Sequence, residues 1–179
     1  VLRDDPWGKS IQRSFRRNVV GTGITASIDD KPYGQDFIAW SRTPHAMDLE
    51  RRHTLINMQQ WAIDEVVAVG ECFVVRWITG NDILGKRLQL QCFEFEQLDR
   101  YKTSHTTPEG ITNEVRHGIE TDINGAAVAY HFYRSHPNDV AGYGRPSPIM
   151  MESVRIPASI VSHIYDPERV RQSHGISRL

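Results

Sequence analysis

Two cysteines in 179 residues, Cys72 and Cys92, are too few for a disulfide scaffold. They fit small buried thiols in a reducing compartment. No apolar run approaches the roughly 20 residues of a membrane span, and no signal-peptide pattern is visible. Net charge is lacking as well: 21 Lys and Arg against 22 Asp and Glu leave −1, which removes any global electrostatic case for nucleic-acid binding. Lysine is scarce, with four residues against seventeen Arg. Arg favours bidentate pairing with carboxylates or phosphates, although high-GC codon usage accounts for the skew more simply. There is no internal repeat, low-complexity tract or linker. What remains is a length suited to one domain with a sizeable core, and the composition of an ordinary globular protein.

Catalytic signatures are also missing. No G-x-S-x-G, S-x-x-K or P-loop is present. "GTGITA" (21–26) fits the loose dinucleotide fingerprint, but a helix precedes it and a strand is expected at 24–28, the reverse of what pyrophosphate binding needs. The eight histidines show no metal-ligand spacing. Cys72 lies in an apolar strand, where a thiol is inert. No catalytic, cofactor or metal residue is therefore assigned.

The elements are clearer. Asp5-Pro6 opens a first helix, with Asp5 as cap and Pro6 at the first position. Trp7, Ile11 and Phe15 form one apolar stripe; Lys9, Arg13, Arg16 and Arg17 lie off it as a basic face. A short strand is expected to 28 and a turn at "DDKPYG" (29–34). Thr43-Pro44 starts a long helix to about 69, with Leu55, Met58, Ala62, Val66 and Val69 in step, buried on more than one side and stopped by Gly70. "ECFVVRWI" (71–78) reads as a central strand, "TGND" as a turn, and 87–98 as a second strand with a bulge near Phe93 and Phe95. Residues 99–113 read as loop.

Asn124-Gly125 predicts a two-residue hairpin turn within 114–134. It pairs Ile119 with Tyr130, His117 with Phe132 and Thr121 with Val128. Val115, Ile119, Val128, Tyr130 and Phe132 then share a face, and Glu120 and Asp122 point the other way. A Gly/Pro loop fills 135–150. "SVRIPASIVSHIY" contains Pro157 and predicts an edge strand or two short pieces. Asp166-Pro167-Glu168 is a helix-start signal. The order predicts an α+β fold: two N-terminal helices, one long, packed on a mostly antiparallel sheet.

Three stretches carry a resemblance. "SIQRSFRRNVVGTGI" (10–24), "ETDINGAAVAYHFYRSHP" (120–137) and "IPASIVSHIYDPERVRQSHGISRL" (156–179) together resemble the lambda-type phage portal protein family. The likeness runs almost end to end. His174 stands where such proteins usually carry Arg, and Val170-Arg171 replaces their usual Pro-Gly. The resemblance implies a structural ring subunit, usually one of twelve, at one capsid vertex. DNA passes through it, and it meets terminase, capsid or scaffold, and tail-connector proteins, with no membrane and no chemistry of its own. It implies location in the virion, with assembly in the bacterial cytoplasm. It also implies that residues 1–179 form a single domain, roughly the wing region ahead of the stem of a longer subunit. By itself this piece is expected to be monomeric or weakly associating. Lys9, Arg13, Arg16, Arg17, Arg169 and Arg171 are candidate DNA or partner contacts. Two other readings stay open. One is an α+β hydrolase-like enzyme with a dispersed site, for which His131, Glu120 and Asp122 are the first suspects. The other is a nucleic-acid-binding module using the first helix.

Overall fold

The computed structural model describes residues 5–80, 88–137 and 152–179. Helix α1 spans Pro6–Phe15, with Pro6 in its first turn and the Asp5 carboxylate accepting from Gly8 N–H at 2.8 Å. It widens into a π-helical turn, Arg16–Val20, and ends at Gly21, whose φ is +55°. The strand expected before residue 28 does not form. Instead the Gln59 side-chain amide takes both the N–H and the C=O of Ile24, each at 2.8 Å, and so substitutes for a strand partner.

The expected turn at 29–34 is the start of a helix, α2 (Lys31–Arg42). Pro32 sits in its first turn, where a fixed φ and a missing donor are harmless. The long helix expected over 43–69 is two helices, α3 (Pro44–Met47) and α4 (Leu55–Ala68). Asp48 causes the break. Its carboxylate accepts from the N–H groups of Glu50, Arg52 and His53, which gives the backbone an alternative to helical bonding. Thr54 then opens α4 with a reciprocal capping box to Asn57.

Strand β1 (Glu71–Ile78) is the centre of a three-stranded antiparallel sheet, as its sequence predicts. It lies between β2 (Leu88–Glu94) and β8 (Val161–Tyr165). Its register with β2 is unbroken from Cys72↔Glu94 to Ile78↔Leu88, so the expected bulge is absent. The shift in apolar phase marks the end of the strand, where a 3₁₀ turn covers Phe95–Gln97.

The second sheet has the order β3-β4-β5-β6-β7: Ser104–Thr106, Thr112–Arg116, Ile119–Thr121, Ala127–Tyr133 and Ser153–Pro157. The stretch expected as loop thus holds β3 and the start of β4. Ile119 pairs with Tyr130, but Thr121 pairs with Ala127, one residue from the predicted register. The Asp122 carboxylate accepts from the N–H groups of Asn124 and Ala126, and Gly125 takes φ +85°, which makes a longer turn and forces the slip. His117 and Gly118, at φ +48° and +84°, form a tight turn from β4 to β5, so His117 does not meet Phe132; Leu98 does. Val115 sits opposite Glu120 and therefore faces away from Ile119.

Pro157 divides the last β segment into pieces that join different sheets, β7 in the second and β8 in the first. The chain thereby crosses between layers. Phe73, Val75, Phe93 and Val161 of the first sheet pack on Ile119, Tyr130, Phe132 and Ile156 of the second. Trp40, Ala46, Met47 and Met58 cover the opposite face at Leu90 and Cys92. The result is helices, sheet and sheet in three layers, with burial on both faces of β1. The turn placed at 79–82 lies partly outside the described residues, as does most of the Gly/Pro loop; the strand start at Arg87 lies wholly outside.

The helix signalled at Asp166 also fails to form. Gln172 Oε1 accepts from the N–H groups of Glu168 and Arg169, the donors a helix cap would serve, and Arg171 takes φ +64°. The chain turns back so that Gly175 lies on Gly70. A Cβ on Gly175 would stand 1.9 Å from the Gly70 carbonyl oxygen. Gly175→Ala is expected to destabilise the fold by at least about 2 kcal/mol in chemical denaturation, by forced overpacking. Gly80→Ala, where nothing lies within 4 Å, is expected to change stability by less than about 1 kcal/mol.

Candidate functional site

The returning C-terminal segment meets β1 at one buried carboxylate. Glu71, 1% exposed, begins the strand directly after Gly70. Its Oε2 accepts from His163 Nε2 at 2.6 Å and from Gly175 N–H at 3.0 Å; Oε1 lies 2.9 Å from His174 Nδ1. Burial alone would raise this carboxyl, but the hydrogen bonds from His163, His174 and Gly175 outweigh it and hold it at about 2. Just beyond, Ser177 Oγ donates to Ala68 C=O at 2.9 Å and Arg178 N–H donates to Val67 C=O at 3.1 Å. Those are terminal carbonyls of α4 that the helix itself cannot satisfy. The resemblance motif around Gln172, Gly175 and Ser177 therefore has a local physical role. Gln172 shapes the turn, Gly175 permits close approach, and Ser177 caps α4. His174, in place of the usual Arg, takes Glu71.

A second buried acid lies in the five-stranded sheet. His105 on β3 has its ring centroid 5.4 Å from that of His131 on β6, although β4 and β5 lie between them in the sheet order. A flat sheet at about 4.8 Å per strand would keep them far apart, so this sheet curls. Inside the curl, Glu120 accepts from Arg155 Nε at 2.7 Å and Nη2 at 3.0 Å, and from Asn113 Nδ2 at 2.7 Å. His131 Nε2 lies 3.0 Å from its Oε2. Burial pushes the carboxyl up, and these partners pull it down to about 2. Burial pushes His131 below its ordinary value, against the opposing pull of Glu120.

Two of the three suspected catalytic residues thus meet, but they fill a packed interior. None of the described cavities is lined by Glu120 or His131. Asp122 stays at its turn as a backbone acceptor. Cys72 is buried and Cys92 partly buried, and desolvation pushes both thiols upward, Cys92 to about 12, which suits packing and not reactivity.

The candidate contact residues divide. Gly8 and Gln12 of α1 and Arg16 at the start of the π-helical turn form the face turned to α4, with Arg16 paired to Asp64 on α4. The apolar stripe of this helix is left outside: Trp7 is 80% exposed, and Ile11 and Phe15 are exposed as well. Lys9, Arg13 and Arg17 are exposed beside them, as are Arg169 and Arg171 on the turn after β8. A cleft of about 1150 Å³ runs between α4 and the ends of β2 and β6. Arg16, Asp48, His53, Asp64, Glu94 and His136 are among its lining residues. Sequence reading singled out neither Glu71 nor this cleft, since both are assembled from segments far apart in the chain.

The geometry is that of a structural body with closed polar clusters and exposed helix and turn surfaces. The model of the lambda family of phage portal proteins matches residues 1–179, and the chain belongs to that family. Its role is that of a phage portal protein, a structural class. No curated protein matches the chain.

Glu71 and Glu120 bind protons more weakly when folded than at their ordinary 4.5, so the unfolded chain is protonated first on acidification. Their contribution is present in full above about pH 4.5 and is lost as pH falls toward 2. Urea unfolding across pH 2–7 is expected to show this loss. Glu71→Gln is expected to cost about 3 kcal/mol at pH 7 and to flatten the acid limb.

Proposed function

We propose that this chain forms part of the ring at a phage capsid vertex through which DNA enters and leaves. In that ring it docks the terminase motor during packaging and tail proteins afterwards. The observation that carries the reading is the family match across all 179 residues. The closed polar clusters fit a body built for docking. The described domain then corresponds to the outer, wing-like part of the subunit, twelve copies of which would surround the channel. By itself it is monomeric or weakly associating.

Lys9 and Arg13 on α1, Arg17 on the π-helical turn that follows it, and Arg169 and Arg171 after β8, are its proposed partner contacts. They lie on open surface and carry no buried counter-ion among the described contacts. Arg16 is withdrawn from that set because Asp64 holds it. A near-neutral chain also suits a conduit, since phosphate contacts add affinity steeply and a tight grip would oppose DNA movement.

An amber mutation in the gene of a phage that encodes this chain tests the reading. Proheads are expected to assemble empty and tailless, with DNA left unpackaged, and supplying the protein in trans restores filled heads. Filled, tailed particles from the amber mutant would refute it.

A further inference from the structure

Helix α1 and the π-helical turn after it keep one row covered and the rest open. Gly8, Gln12, Arg16 and Val20 turn inward in steps of four, and every other residue from Pro6 to Val19 is exposed. At about 100° per residue, Ser10 and Ser14 stand nearly opposite Gln12 and form the middle of the open side. Trp7 and Ile11 lie on one flank of these small side chains. Lys9 and Arg13 lie on the other, with Arg17 following. A small centre between an apolar and a charged flank suits packing against a second helix.

Charge narrows the occupant. Residues 6–28 hold four Lys or Arg and no Asp or Glu. Asp64 holds Arg16, whereas Lys9, Arg13 and Arg17 make no ion pair among the described residues. A second α1 laid on this face would set like charges together, which is costly. Duplex DNA would answer the basic flank and leave the apolar flank in water. What fits is a helix surface that carries acids beside open apolar groups.

The chain carries such a surface itself. Helix α2 opens at Asp29 and Asp30, which are exposed and make no ion pair among the described residues. Residues 29–41 hold three acids against Lys31 alone. Ile28 and Tyr33 are exposed beside them. The two helices occupy different flanks of α4. Gln12 and Arg16 reach Asp64, whereas Trp40 of α2 is buried with Met58 and Leu55. Leu55 and Asp64 are about two and a half turns apart and so lie on opposite sides of α4. The basic and acidic surfaces therefore point away from each other within one body and can meet only between bodies.

We propose that the open face of α1 docks on the start of α2 of a second copy, so that copies join head to tail. Lys9, Arg13 and Arg17 meet Asp29 and Asp30, while Trp7 and Ile11 cover Ile28 and Tyr33. The contact uses two different patches, so it is heterologous and repeats until a ring closes. For that closure it rests on the ring reading given above. Trp7 and Ile11 offer on the order of 300 Å² of apolar surface, less than the apolar share of the roughly 800 Å² per partner in a stable pair. One contact alone is therefore weak, and ring closure makes it persist.

Covalent trapping reads a weak contact directly. Ile11→Cys and Tyr33→Cys in one chain, treated with a short bismaleimide at high protein concentration, are expected to give a ladder of dimers, trimers and longer products on a denaturing gel. The parent chain, with Cys72 buried and Cys92 partly buried, supplies the background. Ile11→Cys mixed with Tyr33→Cys is expected to stop at dimers, and either alone to stay at background. Adding Lys9→Glu and Arg13→Glu to the doubly substituted chain is expected to lower the ladder about tenfold or more. Adding Asp29→Lys and Asp30→Lys as well is expected to restore it, which a misfolded chain would not do. Products no longer than a dimer from the doubly substituted chain would overturn the head-to-tail order, as would dimers from Ile11→Cys alone. Absence of products, or charge reversal without loss and rescue, would overturn the contact. A failed ladder beside empty proheads from the amber mutant removes this contact alone. A ladder from a chain whose amber mutant still makes filled, tailed particles keeps the contact and refutes the place at the portal vertex.

Discussion

The buried Glu71 carboxylate organises this fold. It stands at the start of the central strand, where helix α4 hands the chain to the first sheet. Its oxygens gather β8 through His163 and the C-terminal segment through His174 and Gly175 N–H. A buried charge without such partners would cost several kcal/mol, so the site demands all of them together. Once the tail is held there, Ser177 and Arg178 N–H reach the last carbonyls of α4. Three distant segments, at residues 67–71, 161–165 and 172–178, are locked by one acid. Gly70 and Gly175 make the lock possible, because their backbones touch where side chains would collide.

Glu120 is the counterpart in the second sheet. It too is buried, it too is answered by a His, and here Arg155 supplies a bidentate pair. Together the two acids place charge at the interior of each sheet while the aromatic seam of Phe73, Phe93 and Phe132 fills the space between. Such polar clusters specify one arrangement of strands, since any slip would leave a buried carboxylate unpaired. A body with this internal definition leaves other exposed chemistry on the outside. That is where the exposed Trp7, Ile11 and Phe15 stripe and the Arg residues of α1 are found.

Much of the fold was legible because its signals are local. Asp5-Pro6 opened α1, the apolar run 71–78 was a central strand, and Pro157 split the last β segment. Failures came where side chains captured backbone. Asp48 broke the long helix, Asp122 shifted the hairpin by one residue, Gln59 replaced a strand partner for Ile24, and Gln172 replaced a helix at Asp166. None of these captures has a periodic signature. The apolar stripe of α1 was read correctly as a stripe, but periodicity cannot say whether a stripe faces inward. The polar clusters were the least visible. Glu71 and His174 are 103 residues apart, and only the order of the family motifs hinted that the tail mattered.

The central claim is that this three-layer body belongs to the ring at a phage portal vertex. Cryo-electron microscopy of virions from a phage encoding the chain tests it most directly. The account predicts density for the helix, sheet and sheet body repeated around the channel axis at a single vertex, with the tail segment seated on Glu71 in each copy. Absence of the body from that vertex, or its presence only in another virion structure, would contradict the account.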